Sequence, residues 1–414
     1  MKLICFILLL SLLFLGGCDA ASAPVTPLPS AQASLAENVR AMWITQFDLT
    51  LLCLKDGRPR KREEYEARVH LMVSKLRLID VNTVFIQARP NADALYPSSL
   101  FPPSSYAVGD TGEFSYDPFE ILVDACRAGG LSPHAWINPL RAMRTDSPSA
   151  QNTSYPVGQW IADSKPYVTA VNGYYYLNPA YNEVRTLIAD GAREILRTYD
   201  VDGLHIDDYF YPTTDKSFDA AAFSDYLDEG GMLSLSDFRR AQTQALIHTL
   251  SEITRAEGCL FGVSPGGNTE RNRNELYADI EAFCDVGLLD YLCPQVYFGL
   301  KHETQPFEAV CLTFDTWATR NDLPLIVGLT LEKAASASAG GEDIYAGIAR
   351  REWIEARDIL AQCVKITQTL PSCQGVALFS YRLLFSPEDG TEYAPTAKEC
   401  EALIPVLKDA VWKD

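Results

Sequence analysis

Eight short apolar runs, separated by longer segments of helical period, recur between Val39 and Tyr381. They are Arg40–Phe47, Thr83–Arg89, Ser132–Asn138, Gly203–Asp208, Cys259–Pro265, Tyr291–Tyr297, Pro324–Thr330 and Gly375–Ser380. Two intervening segments carry clear one-sided stripes. Val69, Met72, Val73, Leu76 and Ile79 form one; Val184, Leu187, Ile188, Ala192, Ile195, Leu196 and Tyr199 form the other. Spacing of three and four places each set on one helix face, to be buried against a sheet. Eight strand–helix units without a linker between them point to a single α/β domain, a (β/α)8 TIM barrel with long βα loops. A doubly wound sheet competes, but it calls for a Gly-rich phosphate loop after the first strand, and none follows Phe47.

Alternation within the runs sharpens this reading, because neighbouring residues of a strand point to opposite faces. Gln87 and Arg89 oppose Ile86 and Ala88; His134, Trp136 and Asn138 oppose Ala135 and Ile137. His205 and Asp207 oppose Leu204 and Ile206, and Gln295 and Tyr297 oppose Pro294 and Val296. One face suits outer helices, while the other turns polar toward the strand's C-terminal end, where barrels place their ligand sites. Residues 90–116 and 139–178 are long connections on that side, and long loops in compact domains usually serve function. Tyr96, Tyr174–Tyr176 and Tyr209–Tyr211 bring aromatic faces there, which suit the CH faces of sugar rings.

The N-terminus reads as an address. Lys2 precedes an apolar stretch, Leu3 to Leu15, and Leu15-Gly16-Gly17-Cys18 follows. The stretch is short for a transmembrane helix and right for a secretory signal. The four residues resemble a bacterial lipobox, with Cys18 as the lipidated residue, which implies a chain tethered in the bacterial cell envelope, outside the cytoplasm. The expected organisation is a signal peptide over 1–17, a flexible Ala/Ser/Pro-rich tether over 18–36, the barrel over 37–400 and a C-terminal helix over 401–414. Of eleven cysteines, nine remain after Cys5 and Cys18 are set aside, with no CxxC pair, no zinc pattern and no disulfide framework. The formal net charge of −19 disfavours a nucleic acid as partner.

Several motifs together resemble one family. They are Arg40-Ala-Met-Trp43, Asn82-Thr-Val-Phe-Ile-Gln-Ala-Arg89, Asp93-Ala-Leu-Tyr96 and His134-Ala-Trp-Ile-Asn-Pro-Leu-Arg141. Asp202-Gly-Leu-His-Ile-Asp-Asp-Tyr-Phe-Tyr-Pro212, Gly262-Val-Ser-Pro265 with Arg271-Asn272, and Asp290-Tyr-Leu-Cys-Pro-Gln-Val-Tyr297 complete the set. In this order at strand ends, over residues 37–385, they resemble the glycosyl hydrolase-like family 10 proteins, which include a divisome-localised peptidoglycan glycosidase. The resemblance implies a (β/α)8 hydrolase acting on glycan strands, in some members strands stripped of stem peptides. Two positions depart from the family pattern: Gly266 replaces an aromatic, and Leu140 replaces a tyrosine before Arg141.

Glycoside hydrolysis needs an acid for the leaving oxygen, together with a nucleophile, a base or an assisting group on the substrate. Asp207, on the inward set of the fourth strand, is the first candidate carboxylate. Its partner is Asp208, which strict alternation would turn outward unless the strand end turns it, or Glu332 just past the seventh strand; a substrate N-acetyl group could also assist. Arg89, Asn138, Arg141, Gln295 and Tyr297 read as substrate clamps, the arginine forks suiting a carboxylate or vicinal hydroxyls. Asp93, Tyr96, Tyr209, Asn268 and Arg271 join them as candidate substrate contacts. His134 and His205 are candidates too, unless they satisfy each other deeper in the barrel, and Asp93 could instead pair with Arg89. No metal or cofactor is expected. A surface-tethered glycosidase leads; a glycan-binding lipoprotein without chemistry, or a metal-dependent hydrolase on Asp207, Asp208 and His205, are the alternatives.

Overall fold

The computed structural model describes residues 33–412; Cys18, the signal segment and most of the tether lie outside these. Eight parallel strands close into a barrel: β1 Val39–Ile44, β2 Thr83–Arg89, β3 Ser132–Ile137, β4 Gly203–Ile206, β5 Leu260–Val263, β6 Tyr291–Leu292, β7 Leu325–Thr330 and β8 Cys373–Phe379. Closure is through β1, where Ala41 faces Thr83 on β2 and Val39 faces Gly375 on β8. A ring of eight helices follows the strands in turn: α1 Arg62–Leu78, α2 Pro118–Ala128, α3 Asn182–Thr198, α4 Leu235–Ala256, α5 Ile280–Asp285, α6 Phe307–Arg320, α7 Ile359–Thr367 and α8 Ala397–Asp409. The expected stripes are their buried faces: α1 buries Val69, Met72, Val73 and Leu76, and α3 buries Val184, Leu187, Ile188, Ala192, Ile195 and Leu196.

Each of the eight apolar runs overlaps a barrel strand, and their ends differ for local reasons. The first run stops at Ile44 because Thr45 and Asp48 form a capping box that starts a helix, Gln46–Cys53, leaving Phe47 exposed. The sixth ladder is only two residues long and resumes through Gln295, which bridges singly to Gly266 and Gly328. The 139–178 connection is not structureless. It carries a three-stranded antiparallel sheet of Arg141–Arg144, Tyr174–Leu177 and Val168–Val171, in that spatial order, and a short helix, Pro156–Ala162. The C-terminal helix begins at Ala397, and Arg40 at the start of β1 donates to the carbonyls of Leu407 and Ala410 at its end.

Two apolar compartments result. The larger lies between strands and helices. The smaller fills the barrel itself with Val39, Ala41, Trp43, Phe85, Trp136, Leu260, Tyr291, Cys293, Ile326 and Ala377. Inside it, Trp43 Nε1 faces His205 Nε2 at 3.4 Å, and the Tyr291 hydroxyl lies 2.9 Å from His205 Nδ1 and 3.0 Å from His134 Nδ1. Since the indole can only donate, His205 Nδ1 carries the proton and donates to Tyr291, which donates onward to His134. Burial holds the His134 imidazole down to about 4 and His205 well below the usual histidine range, so both stay neutral. The rings require bare backbone opposite them: a Cβ on Gly203 would strike His134, and one on Gly262 would enter the ring of Tyr291. The nine cysteines of the barrel domain are free and buried.

The connection after β4 is anchored by a fully buried ion pair. Arg239 on α4 donates to both oxygens of Asp219, at 2.9 and 2.6 Å, and further to the Tyr277 hydroxyl and the Asp215 carbonyl. Removing one partner of such a pair leaves an uncompensated buried charge. Arg239→Met is expected to destabilise the protein by about 3–5 kcal/mol, read as a lowered midpoint in urea unfolding. A midpoint unchanged from wild type would show that this pair does not hold the loop.

Candidate active site

The polar residues of the barrel mouth converge on the end of β4. Asp207 continues the inward set after His205, and only 5% of it is exposed. Its Oδ2 accepts from Asn138 Nδ2 at 2.8 Å, and its Oδ1 accepts from the Tyr209 backbone N–H at 3.1 Å. Because β4 ends at Ile206, strand alternation no longer governs Asp208, and the outward expectation fails. Asp208 turns toward the tips of β5 and β6, where its Oδ1 is 3.4 Å from Gln295 Nε2, a group that also donates to the Ser264 carbonyl at 3.0 Å. A Cβ on Gly266 would come within 3.6 Å of Asp208 Oδ2, so the glycine leaves that side of the carboxyl open.

Burial and then the neighbouring Asp208 charge push the Asp207 carboxyl well above the usual carboxylate range, against the pull of the Tyr209 N–H, Asn138 and the Trp136 indole. Burial raises Asp208 too, with Gln295 and the Arg271 charge acting in the opposite sense. Two adjacent carboxyls in one desolvated site hold a shared proton more tightly than either would in water.

Asp207 is oriented by a directed chain of amides. The Gln46 backbone N–H donates to Gln87 Oε1 at 2.8 Å, and Gln87 Nε2 donates to Asn138 Oδ1 at 2.9 Å. Asn138 Nδ2 then has only its donor role left, toward Asp207. A backbone N–H cannot reverse, so every amide downstream of it is fixed in sense. The chain joins the tips of β1, β2, β3 and β4. The first residues of this chain, Gln46 and Gln87, carried a signal: Gln87 is on the inward set of its strand, and Gln46 follows the cap residue Thr45.

Several sequence candidates sit elsewhere. Arg89 is 2% exposed and lies behind the barrel, its guanidinium carbon 4.1 Å from the Phe101 ring centroid and pressed on Gly191 of α3. A β-bulge between Gln87 and Arg89 shifts the alternation by one residue, which removes Arg89 as a clamp. Tyr96 is buried against Phe119 and Tyr199, with its hydroxyl 3.2 Å from Glu194 on α3, so it also leaves the substrate side. His134 and His205 belong to the barrel interior; they share Tyr291 rather than bonding to each other, and His205 is engaged on both nitrogens away from the Asp pair. Asn268 is spent as the cap of the helix Thr269–Asn274, accepting from the Arg271 N–H. Asp93 makes no ion pair with Arg89; its partners are Ser104 and Asn91 of its own loop, and burial pushes it up to about 6.

The mouth keeps Asn138, Gln295, Tyr297, Tyr209, Arg141 and Arg271. Burial pushes the Tyr297 hydroxyl well above its usual range, and its neighbours Cys293, Asp208, Glu332 and Asp207 act in the same sense. Glu332 is exposed at the first turn of the helix Glu332–Ser338, and among the described residues it makes no hydrogen bond to either aspartate. Tyr209, 43% exposed, offers a ring beside Asp207, and Arg141 lies over it with its guanidinium carbon 5.1 Å from the ring centroid. The Tyr174 ring, from the three-stranded sheet, also has its centroid 5.1 Å from the Arg141 guanidinium carbon, and Tyr106 lies in the same neighbourhood. Such rings with amides and carboxyls can hold a saccharide and protonate a glycosidic oxygen.

Comparison with known proteins bears on the family and the fold. Residues 38–341 match the profile of a family described as Glycosyl hydrolase-like 10. Glycosyl hydrolase DigH of Escherichia coli strain K12 is 26% identical over 396 residues, covering 87% of this chain and 87% of that protein. Glycosyl hydrolase YngK of Bacillus subtilis strain 168 is 27% identical over 309 residues, covering 70% of this chain and 59% of that one. Among solved structures, the catalytic domain of β-amylase from Paenibacillus polymyxa aligns with a TM-score of 0.56 at 9% identity, over 91% of this chain and 99% of that one. At that identity the likeness concerns the fold.

Cutting the amide chain is expected to be visible in the Asp207 titration itself. Asn138 donates to the charged carboxylate, so Asn138→Leu removes a group that favours ionisation and raises the Asp207 pKa further. Carboxyl-carbon NMR on the two proteins reads the change directly. A downward shift, or none, would mean that Asn138 does not hold this carboxyl.

Proposed function

This chain belongs to the glycosyl hydrolase-like 10 family and is a glycosidase by that membership, and we propose that it cleaves glycan strands of peptidoglycan stripped of stem peptides, by carboxylate acid/base catalysis. The observation that carries the chemical part is the Asp207–Asp208 pair: two coupled carboxyls at the strand tips, one gripped by Asn138 and the other next to Gln295.

In this reading Asp207 keeps its proton and gives it to the leaving glycosidic oxygen. Asp208, whose charged form Gln295 and Arg271 favour, faces the positive charge that develops at the anomeric carbon. Water then delivers hydroxide to that carbon and its remaining proton to the pair, which restores the starting state. Tyr209 and Tyr297 supply ring faces, and Asn138 and Gln295 fix the two carboxyls. Glu332 stays on the rim. The third reading, a metal-dependent hydrolase, loses its histidine ligand, because His205 is bonded inside the barrel to Tyr291 and Trp43.

The envelope location rests on the sequence of Lys2, the apolar stretch and Leu15-Gly16-Gly17-Cys18. Lipid on Cys18 would hold the barrel at a membrane surface; no described helix is long and apolar enough to cross one. Such a tether would keep the enzyme beside an insoluble polymer of the envelope.

Purified protein incubated with peptide-free peptidoglycan strands, and with α- and β-glucans as controls, is expected to release muropeptide-free saccharides only from the first, identified by mass. Asp207→Asn should lower turnover by about 10³-fold or more and Asp208→Asn by about 10²-fold, within the range for acid/base groups, with folding retained by circular dichroism. Glu332→Gln should stay within a few-fold of wild type. Near-normal turnover by Asp207→Asn, or a Glu332→Gln protein as inactive as that variant, would reassign the catalytic carboxylate.

A further inference from the structure

We infer that Arg141 is a carboxylate-recognition subsite of the cleft, so that the preferred substrate carries an acidic sugar beside the bond under attack. This rests on the glycan reading above and adds to it the residue that selects the sugar.

The argument starts from charge. The chain has 54 acidic and 35 basic residues, so an arginine near solvent would ordinarily meet a carboxylate. Arg144, three residues on, does so with Asp146 at 2.9 Å. Arg141 does not: among the described residues it forms no ion pair, and its Nε is buried without a hydrogen-bond partner. It is nevertheless held firmly. The Tyr174 and Tyr209 rings both lie against the guanidinium, each with its centroid 5.1 Å from the central carbon. Aromatic faces attract the cation without using its N–H donors, so the fork stays available in a fixed orientation.

Its position supplies the second half of the argument. Tyr209 donates its backbone N–H to Asp207, so one residue touches both the acid and the arginine. Arg141 follows β3, whose end carries Asn138, the other residue that grips Asp207. A ligand reaching Asp207 past the Tyr209 ring therefore brings its substituents to an unfilled guanidinium fork. Planar fork and planar carboxylate match through two parallel hydrogen bonds, a fit that neither a hydroxyl nor an N-acetyl group reproduces. A lactyl ether and a uronate both present that group.

Binding without turnover tests this. The Asp207→Asn protein is titrated by calorimetry with three probes. They are a peptide-free tetrasaccharide of alternating N-acetylglucosamine and N-acetylmuramic acid, the same tetrasaccharide with its carboxyls converted to methylamides, and a tetragalacturonate. The acid tetrasaccharide is expected to bind about 10- to 100-fold more tightly than the amide, the range for a charge-assisted hydrogen bond. Adding Arg141→Gln should bring acid binding to the level of the amide while leaving amide binding unchanged, and Arg141→Lys should recover part of the preference. Tight binding of the galacturonate, lost in Arg141→Gln, would name a uronate as the source of the carboxylate; its absence beside the acid preference names the lactyl ether. Equal binding of acid and amide, an Arg141→Gln protein that weakens both alike, or no binding of any probe overturns the subsite. A carboxylate preference in a protein whose wild type hydrolyses none of these glycans would overturn the hydrolase reading and leave the subsite standing. Hydrolysis indifferent to amidation would do the reverse.

Discussion

One backbone amide, that of Gln46, sets the direction of a hydrogen-bond chain that crosses four strand tips. Its N–H must donate, Gln87 must accept and then donate, and Asn138 must do the same toward Asp207. The chain rests on the parallel pairing of four consecutive strands, which brings residues at the tips of β1 to β4 side by side. Gln46 is in place because Thr45 and Asp48 end β1 and begin a helix at that point. Asp48 in turn accepts the Arg382 N–H, just beyond the end of β8, so the seam of the barrel and the orientation of its buried carboxyl share one anchor.

The barrel interior is layered by polarity. At its floor Trp43, His205, Tyr291 and His134 pass hydrogen bonds among neutral groups. Above them, Asn138 and Gln295 meet the carboxyls, with Gln87 behind Asn138, and exposed rings and charges appear at the rim. A neutral floor matters for the pair above it. Cationic imidazoles beneath Asp207 would favour its ionised form, whereas the burial of His134 and His205 keeps them uncharged and leaves the carboxyl pushed up.

Period and alternation made the architecture legible in the sequence, because a closed (β/α)8 barrel repeats one rule eight times. Every apolar run overlaps a strand, and Thr83–Arg89 is one from end to end. The site was legible where that rule still applied: Asp207, Asn138 and Gln295 extend inward sets and reach the mouth. It was not legible where the rule ended. The bulge beside Ala88 moved Arg89 behind the sheet, and the early end of β4 let Asp208 turn in rather than out. Tyr96 and Asn268 were misplaced for a different reason: loop geometry and helix capping are set by tertiary partners such as Glu194 and the Arg271 N–H, which alternation does not encode.

The cost of the carboxyl pair bears on the choice between a glycosidase and a non-catalytic glycan-binding protein. Sugar hydroxyls can be held by amides, hydroxyls and ring faces, all of which this mouth already has, and none of those groups is strongly penalised by burial once hydrogen-bonded. Two adjacent aspartates in a desolvated site are penalised: each raises the other's affinity for protons, and the pair contributes less to stability than neutral groups of the same shape would. For binding alone the pair brings a penalty without a compensating contact. For hydrolysis it supplies what the reaction needs, one carboxyl whose hold on its proton is strengthened by burial and a neighbouring charge, with an amide chain aiming it and a glutamine beside its partner.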